Sequence, residues 1–422
     1  MIPKTPSEIT VEYLKEKLSN QQHMNGRLVW LDKLASVSYN NSNIQGQCSQ
    51  VVLFELKDSE GNILDEVFIK FAKDENDKSI AHHVDRDFLA ETSAYKKEIA
   101  FYQYLLNTNS INNLLNRNVV PPVYVAEIDR NNKDQFILIL RKSGKALDQI
   151  VGCSTELIRL ILKEWALIQS EFWYTAEDEE KFKAQLVVNG YDVMTPLHHT
   201  VTSMINKKNN ILPVEEVVEE VKQVWKDKWE DYHYVLKYFS SQTGMKQLAE
   251  NALVIDEQVS SGKIFEIVEE GCQVLTANNR TLNHCDFRLD NMLQVSEESV
   301  AFVDFQCIGF GSCGYDLGFF ISSCLLSEQV NDNFHNLMES YWNSLICNKP
   351  IIEKTYSLEQ LKRETRKAAV IQLSLYMSMF SAWRPMIDSG VDLKSAVGRF
   401  FELVICATER MLNFHVKFTS SD

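Results

Sequence analysis

Apolar positions fall into two different rhythms along this chain, and the change between them divides it. Early on, β-branched and aromatic residues gather in short runs, Val51-Val52-Leu53-Phe54-Glu55-Leu56 and Val67-Phe68-Ile69-Lys70-Phe71-Ala72, separated by the polar Lys57-Asp58-Ser59-Glu60-Gly61-Asn62. Two antiparallel strands joined by a polar turn are the simplest reading. A short amphipathic helix over 8–18 precedes them. A longer one over 88–106 follows, with Leu89 and then Tyr95, Ile99, Tyr102 and Leu106, the last four at three- and four-residue spacings. Pro121-Pro122 introduces a strand at Val123-Tyr124-Val125-Ala126. A last strand, Phe136-Ile137-Leu138-Ile139-Leu140, ends in the polar connector Arg141-Lys142-Ser143-Gly144.

From about Leu147 the pattern becomes mostly helical. Helices are expected over 157–172, over 214–239 with Trp225, Trp229 and Tyr232 on one side, over 319–345 and over 361–411. The expectation is an α+β chain of two domains: residues 1–143, a small antiparallel sheet with one helix, and residues 144–422, larger and helical. No internal repeat or low-complexity tract is visible, and the charged run 177–183 reads as a solvated helix start or loop.

Bulk properties narrow the classes. The chain has 422 residues, enough for two substantial cores, and a formal net charge of -15. That charge argues against nucleic acid or an anionic membrane as partner. Nine cysteines show no C-x-x-C pair or zinc-like spacing, which fits free thiols in a reducing compartment. The opening Met1-Ile2-Pro3-Lys4-Thr5-Pro6 starts no apolar signal segment. The longest apolar run, 317–326, holds two serines and is too short to span a bilayer. A cytoplasmic protein is expected.

The chemistry concentrates in one stretch. His284-Cys285-Asp286-Phe287-Arg288-Leu289-Asp290-Asn291 reads H-x-D-x-x-x-x-N, and Asp304-Phe305-Gln306 follows at the end of the apolar run Val300-Ala301-Phe302-Val303. The first pattern alone recurs by chance in roughly a few per cent of chains this long; the Asp-Phe after a strand-like run makes coincidence much rarer. Phosphoryl transfer from ATP needs a carboxylate to accept the proton of an attacking hydroxyl, and an Asn and a second carboxylate to hold Mg2+. Asp286 is the candidate for the first role, Asn291 and Asp304 for the metal. Arg288 is placed to offset charge on the transferring phosphate, the alternative being a structural pair with Asp290 or Asp316. His284 is expected to orient the loop by hydrogen bonding.

The remaining roles have candidates too. Lys70 lies on a strand, as the phosphate-binding cation of a kinase does, and Glu98 on the next helix would hold it, with Glu91 and Glu127 as competitors. In Asn43-Ile44-Gln45-Gly46-Gln47-Cys48-Ser49, Gly46 would let the backbone approach phosphate and Ser49 would donate to it; an ordinary turn explains the segment equally well. Adenine contacts would come from the backbone between Leu140 and Ser143. Gly309-Phe310-Gly311-Ser312-Cys313-Gly314 matches the dinucleotide pattern G-x-G-x-x-G, but no second strand ending in an acid follows, so it reads as a flexible segment after Asp304. A Walker A motif is absent.

With these residues assembled, the sequence resembles the aminoglycoside phosphotransferase and choline kinase superfamily, and within it the ecdysteroid-kinase-like branch and its bacterial relatives. The likeness runs over about 8–325 and rests on 284–293, on Val303-Asp304-Phe305-Gln306, on Gly314-Tyr315-Asp316-Leu317-Gly318-Phe319-Phe320, on Trp165-Ala166-Leu167-Ile168-Gln169-Ser170-Glu171-Phe172-Trp173 and on Ile9-Thr10-Val11-Glu12-Tyr13-Leu14. It implies a two-lobed, protein-kinase-like fold, with Asp316 bracing the catalytic loop. It also implies ATP- and Mg2+-dependent transfer to a hydroxyl of a small molecule, an apolar alcohol such as a steroid or a cationic amino alcohol or aminoglycoside. The acceptor would meet the helices of 150–280 and those after 360, with His198-His199 and Trp383-Arg384 as candidate contacts. The family usually has Gly where Cys285 stands, His where Gln169 stands, and often an acid where Arg141 stands. A catalytically weak nucleotide-binding or interaction protein keeping the fold is the alternative.

Overall fold

The computed structural model describes residues 2–419 except 20–27, 40–43, 46–49, 72–93, 108–113, 115–116, 130–134, 176–178, 180–186, 189–190, 193–194, 207–211 and 278–280. Gly46, Ser49, Glu91, the first turns of the helix expected from residue 88 and most of the 177–183 run therefore lie outside the described residues. The chain divides into two compact units, one of residues 1–145, 185–193 and 293–306, the other of 146–184, 194–292 and 307–422.

The first unit is built on an antiparallel sheet. Its strands are β1 (Ser36–Tyr39), β2 (Gln50–Lys57), β3 (Ile63–Phe71), β4 (Val123–Ile128) and β5 (Phe136–Arg141), in the order β1-β2-β3-β5-β4; a two-residue strand, Ile44–Gln45, also pairs with β2. The period-2 pattern sets the faces. Val52, Phe54 and Leu56 of β2 and Val67, Ile69 and Phe71 of β3 are buried in a core with Leu14 and Leu18 of helix α1 (Val11–Ser19). Lys70 therefore points to the opposite face of β3. The β2–β3 turn is closed by Asp58, whose Oδ1 accepts from the amides of Glu60 (2.9 Å) and Asn62 (2.8 Å), with Gly61 at φ +86°.

Helix α2 (Ala94–Asn107) buries Ile99, Ala100, Phe101 and Tyr102. Beyond β5 the chain turns through Gly144 at φ +63°, where a Cβ would stand 2.3 Å from the carbonyl oxygen of Gln294. Only glycine fits that crossing. Gln294 belongs to the hairpin of Met292–Ser296 and Ser299–Phe302, which leads into Asp304.

The second unit is helical: α3 (Thr155–Glu171), α4 (Leu197–Asn206), α5 (Val214–Thr243), α6 (Lys246–Ser261), α7 (Lys263–Leu275), α8 (Gly314–Cys324), α9 (Ser327–Asn348), α10 (Leu358–Phe380) and α11 (Arg399–Thr419). Every residue of α8 is buried. It packs on α10 through its glycines, a Cβ at Gly318 reaching 2.6 Å from the Ala368 Cβ.

Three expectations need correction. The helix read over 319–345 is two, α8 and α9, because Leu325 and Leu326 are extended. The break is capped by the Leu326 amide donating to Gln329 Oε1 (3.0 Å), while Gln329 Nε2 donates to the Cys153 carbonyl (2.8 Å). The stretch 361–411 is also interrupted: after α10 come a 3-10 turn Ser381–Trp383 and short helices Arg384–Asp388 and Leu393–Val397 before α11 begins. Pro385 lacks an amide to continue the helix, and Gly390 (φ +76°) and Gly398 (φ +54°) leave helical space. Finally, the G-x-G-x-x-G segment is no flexible connector. Gly309–Gly311 is a buried strand paired with Thr281–Asn283, and a Cβ at Gly311 would stand 2.5 Å from the Leu197 Cβ. Its glycines serve packing.

A small antiparallel-sheet unit and a larger helical unit make the α+β class expected from the sequence. Among the described residues no helix is long and apolar enough to cross a membrane.

Candidate active site

The expected residues gather in two groups, one on each unit. In the first unit, β3 presents Lys70 and α2 presents Glu98, and the Lys70 ammonium donates to Glu98 Oε2 at 2.7 Å. The same ammonium donates to Asp304 Oδ1 at 2.6 Å, joining positions 234 residues apart. Glu127, the competitor inside the described residues, pairs with Lys17 at 2.5 Å instead.

Burial shapes this group. Glu98 is 2% exposed at its side chain and Lys70 12%. Burial alone would lower the lysine's pKa, but the carboxylates of Asp304 and Glu98 outweigh it and hold the ammonium above its ordinary value. Burial raises the Glu98 carboxyl; Lys70 draws it down, and Asp304, competing for the one cation, raises it again.

Asp304 has a left-handed backbone, φ +68°, which few non-glycine residues adopt and Asp tolerates better than most. Directly after it a 3-10 turn, Phe305–Cys307, begins. Phe305 stacks on Phe101 of α2 with ring centroids 4.2 Å apart and meets Tyr102 edge-on at 5.9 Å. That aromatic contact ties the Asp304 backbone to the helix carrying Glu98. The second carboxylate oxygen, Oδ2, accepts from Gln306 Nε2 at 3.2 Å.

In the second unit the 286–291 loop is closed on itself. Asn291 Nδ2 donates to the Asp286 carbonyl (2.8 Å) and to Asp286 Oδ2 (2.9 Å), and Arg288 Nε stands 3.2 Å from Asp286 Oδ1. Arg288 is therefore paired with Asp286. Asp286 keeps 22% of its side chain exposed. Asp290 turns to the Gln149 amide (3.4 Å) and to Arg399 (3.5 Å).

Beneath the loop lies Asp316 of α8, fully buried. Its Oδ2 accepts from the His284 amide at 2.7 Å and its Oδ1 from the Cys285 amide at 3.0 Å. Burial lifts its carboxyl to about 7, against the opposing pull of those two N–H groups. Gln169 of α3 supports the preceding strand, donating from Nε2 to the Leu282 carbonyl (2.9 Å) and accepting from the Tyr341 hydroxyl, while Thr281 donates to the Gln169 carbonyl (2.6 Å).

The segment expected to meet adenine has its own arrangement. Leu140 pairs with Phe68 of β3 and Val123 of β4. The Arg141 amide donates to the Pro122 carbonyl (2.9 Å) and the Lys142 amide to the Glu66 carbonyl (2.8 Å). The Arg141 side chain is held by Asp65 (3.2 Å), which also accepts from Tyr124 at 2.5 Å. Ser143 Oγ donates to the Arg141 carbonyl at 3.4 Å. Trp383 is buried among Phe239, Phe380, Phe400 and Phe401, and Arg384 is paired with Asp231 at 2.7 Å.

Residues 54–351 match the model of the ecdysteroid kinase-like family. The chain belongs to the ecdysteroid kinase-like family. The family resemblance read from 284–293 and 303–306 is thus borne out. No curated protein matches the chain. Among solved structures it is similar to a Plasmodium vivax ethanolamine kinase (14% identity, 99% of this chain and 98% of that one, TM-score 0.46). It is also similar to a choline kinase from Cryptosporidium parvum (10%, 95% and 98%, 0.43) and an aminoglycoside phosphotransferase from Alicyclobacillus acidocaldarius (9%, 90% and 92%, 0.41).

In this ecdysteroid kinase-like chain, sequence reasoning passed over Gln306 and Asp65. Gln306 follows Asp304-Phe305 in the sequence, and no spacing rule points to it. Asp65 carried a weak signal, an acid on the apolar face of β3.

Proposed function

We propose that the protein transfers the γ-phosphate of ATP, with Mg2+, to a hydroxyl group of a small molecule. The observation that supports this best is Lys70, held at 2.7 Å by Glu98 and at 2.6 Å by Asp304. A strand lysine fixed by a helix glutamate is what the α- and β-phosphates require.

The donor set suits magnesium. Among the described residues no three His, Cys, Asp or Glu side chains cluster as a metal cage. Mg2+ is commonly held by one or two carboxylates with phosphate and water supplying the rest. The Asp304 carboxylate and the Asn291 amide oxygen are hard donors of that kind, and Asn291 uses only its Nδ2 group in holding Asp286. When bound, the cation supplies charge neutralisation at the phosphates.

The chain's own residues do the rest. Asp286, fixed by Asn291 and Arg288, accepts the proton of the acceptor hydroxyl as its oxygen attacks phosphorus. Arg288 offsets charge developing on the transferred group. Lys70 holds the α- and β-phosphates, with Glu98 fixing its ammonium. The backbone from Leu140 to Ser143 meets adenine.

The test is a mass-spectrometric screen. Purified protein with Mg-ATP is offered sterols, amino alcohols, aminoglycosides, macrolides and nucleosides, with Asp286→Ala as control. A phosphorylated product that disappears in the variant supports the reading and names the acceptor class. Absence of both product and ATP binding overturns it.

A further inference from the structure

Gln306 makes one hydrogen bond and leaves one atom unused. Its Nε2 donates to Asp304 Oδ2 at 3.2 Å, while its Oε1 is buried with no partner among the described residues. A buried amide oxygen without a donor carries a desolvation cost, and in native structures such an atom calls for an explanation such as an ion or water. Here the explanation must come from beside Asp304. The amide is one rigid planar group, so an Nε2 fixed on Asp304 fixes Oε1 next to the same carboxylate. The other Asp304 oxygen, Oδ1, faces the Lys70 ammonium. The side chain lies in the 3-10 turn that starts at Phe305, and Phe305 is anchored on Phe101, so the backbone beneath Gln306 is held.

We propose that Gln306 is a positioning residue for the divalent cation: Nε2 orients the Asp304 carboxylate and Oε1 accepts a hydrogen bond from a water on the metal. Magnesium sheds its hydration shell reluctantly and keeps several waters in sites of one or two carboxylates. Each such water needs an acceptor, and an orphaned buried oxygen beside the carboxylate supplies one. Partners that orient a metal ligand typically change affinity 10- to 100-fold when removed. This rests on the reading of Asp304 as metal ligand.

Mn2+, followed by electron paramagnetic resonance as it titrates the full-length protein with ADP, probes this without turnover. Gln306→Met keeps the length of the side chain and removes both polar atoms. It is expected to weaken Mn2+ binding about tenfold, while ADP affinity without metal and the melting temperature stay at wild-type values. Gln306→Glu keeps an oxygen where Oε1 lies and is expected to bind Mn2+ at least tenfold more tightly than Gln306→Met. A mere packing role would move the melting temperature or metal-free ADP binding and leave Mn2+ affinity alone. Wild-type Mn2+ affinity in Gln306→Met, or equal weakness in both variants, overturns the inference. Should Gln306→Met fail to fold, Gln306→Glu against wild type decides, since loss of Mn2+ binding there also overturns it. If the wild-type protein with ADP binds no Mn2+, the phosphotransferase reading itself falls, a different result from failure of the variants alone.

Discussion

The backbone amide of Cys285 donates to Asp316 Oδ1 at 3.0 Å while Cys285 itself holds a left-handed backbone, φ +61°. The two facts belong together. Once two successive amides, His284 and Cys285, have been aimed at one carboxylate, the chain turns away at 285 through a left-handed backbone that suits glycine. The cysteine sits there against its steric preference.

Substitutions at 285 should therefore rank by backbone tolerance. A left-handed L-residue costs roughly 1–2 kcal/mol, offset for glycine by greater freedom of the unfolded chain, about 0.5–1 kcal/mol, and by loss of the buried thiol. Cys285→Gly should stay within about 1 kcal/mol of wild type. Cys285→Val, β-branched at positive φ, should lose more than about 2 kcal/mol. Urea midpoints at constant m-value measure both; equal stability of the two variants would refute the argument.

Asp316 gives a pH signature. Its folded pKa is lifted to about 7, above the roughly 3.9 of an unfolded aspartate. The folded state thus binds the proton more tightly, and this group's contribution to stability is largest below about pH 4. It declines as pH rises toward 7 and is constant above. Asp316→Asn removes the titration and turns one NH2 group toward a buried amide, at about 1–3 kcal/mol. The stability gap between wild type and Asp316→Asn should narrow from pH 5 to pH 8, by at most about 1.4 kcal/mol per unit. Denaturation at four pH values decides it: a constant gap would show that Asp316 is not the titrating group.

Much of this was legible because short-range rules governed it. The alternation of β2 and β3 set their faces and turned Lys70 away from the core, and the loop spacing placed Asn291 on Asp286. Glu98 was separable from Glu127 only by the tertiary pairing of Glu127 with Lys17. The breaks at Leu325–Leu326 were illegible because neither Gly nor Pro marks them, and the Gln329 cap depends on the distant Cys153 carbonyl. The glycines at 309 and 311 carried a false signal, since close packing and phosphate binding both require a missing Cβ.

The Lys70 group should respond unequally to loss of its members. Lys70→Met leaves Glu98 and Asp304 facing each other without a cation, Glu98 almost fully buried. Breaking such a buried arrangement costs about 3–5 kcal/mol. Glu98→Gln leaves Lys70 still paired with Asp304, so its cost should be less than half as large. Because the isolated Glu98 escapes its penalty by taking a proton, the Lys70→Met defect should shrink as pH falls toward about 4.3. Thermal melts from pH 8 to pH 5 test this; a Glu98→Gln defect equal to that of Lys70→Met would contradict the assigned pairing.

Gly311 separates the packing account of the G-x-G-x-x-G segment from any ligand-binding one. An added Cβ would meet Leu197 Cβ at 2.5 Å and Cδ2 at 2.6 Å, and Gly311 lies in a strand paired with Thr281, one of the residues leading to the 286–291 loop. The clash is between a paired strand and the buried Leu197 of α4, so Gly311→Ala should cost about 1–3 kcal/mol by overpacking. At Gly309 the tightest neighbour is the Thr200 hydroxyl at 3.1 Å, and Gly309→Ala should cost less. Shortening the obstacle provides the check. In the double variant Gly311→Ala, Leu197→Gly the clashing Cβ is gone with the rest of the side chain, so the two changes should be non-additive by more than about 0.5 kcal/mol in a double-mutant cycle. Strict additivity would mean that Gly311 is needed for something other than the approach of Leu197.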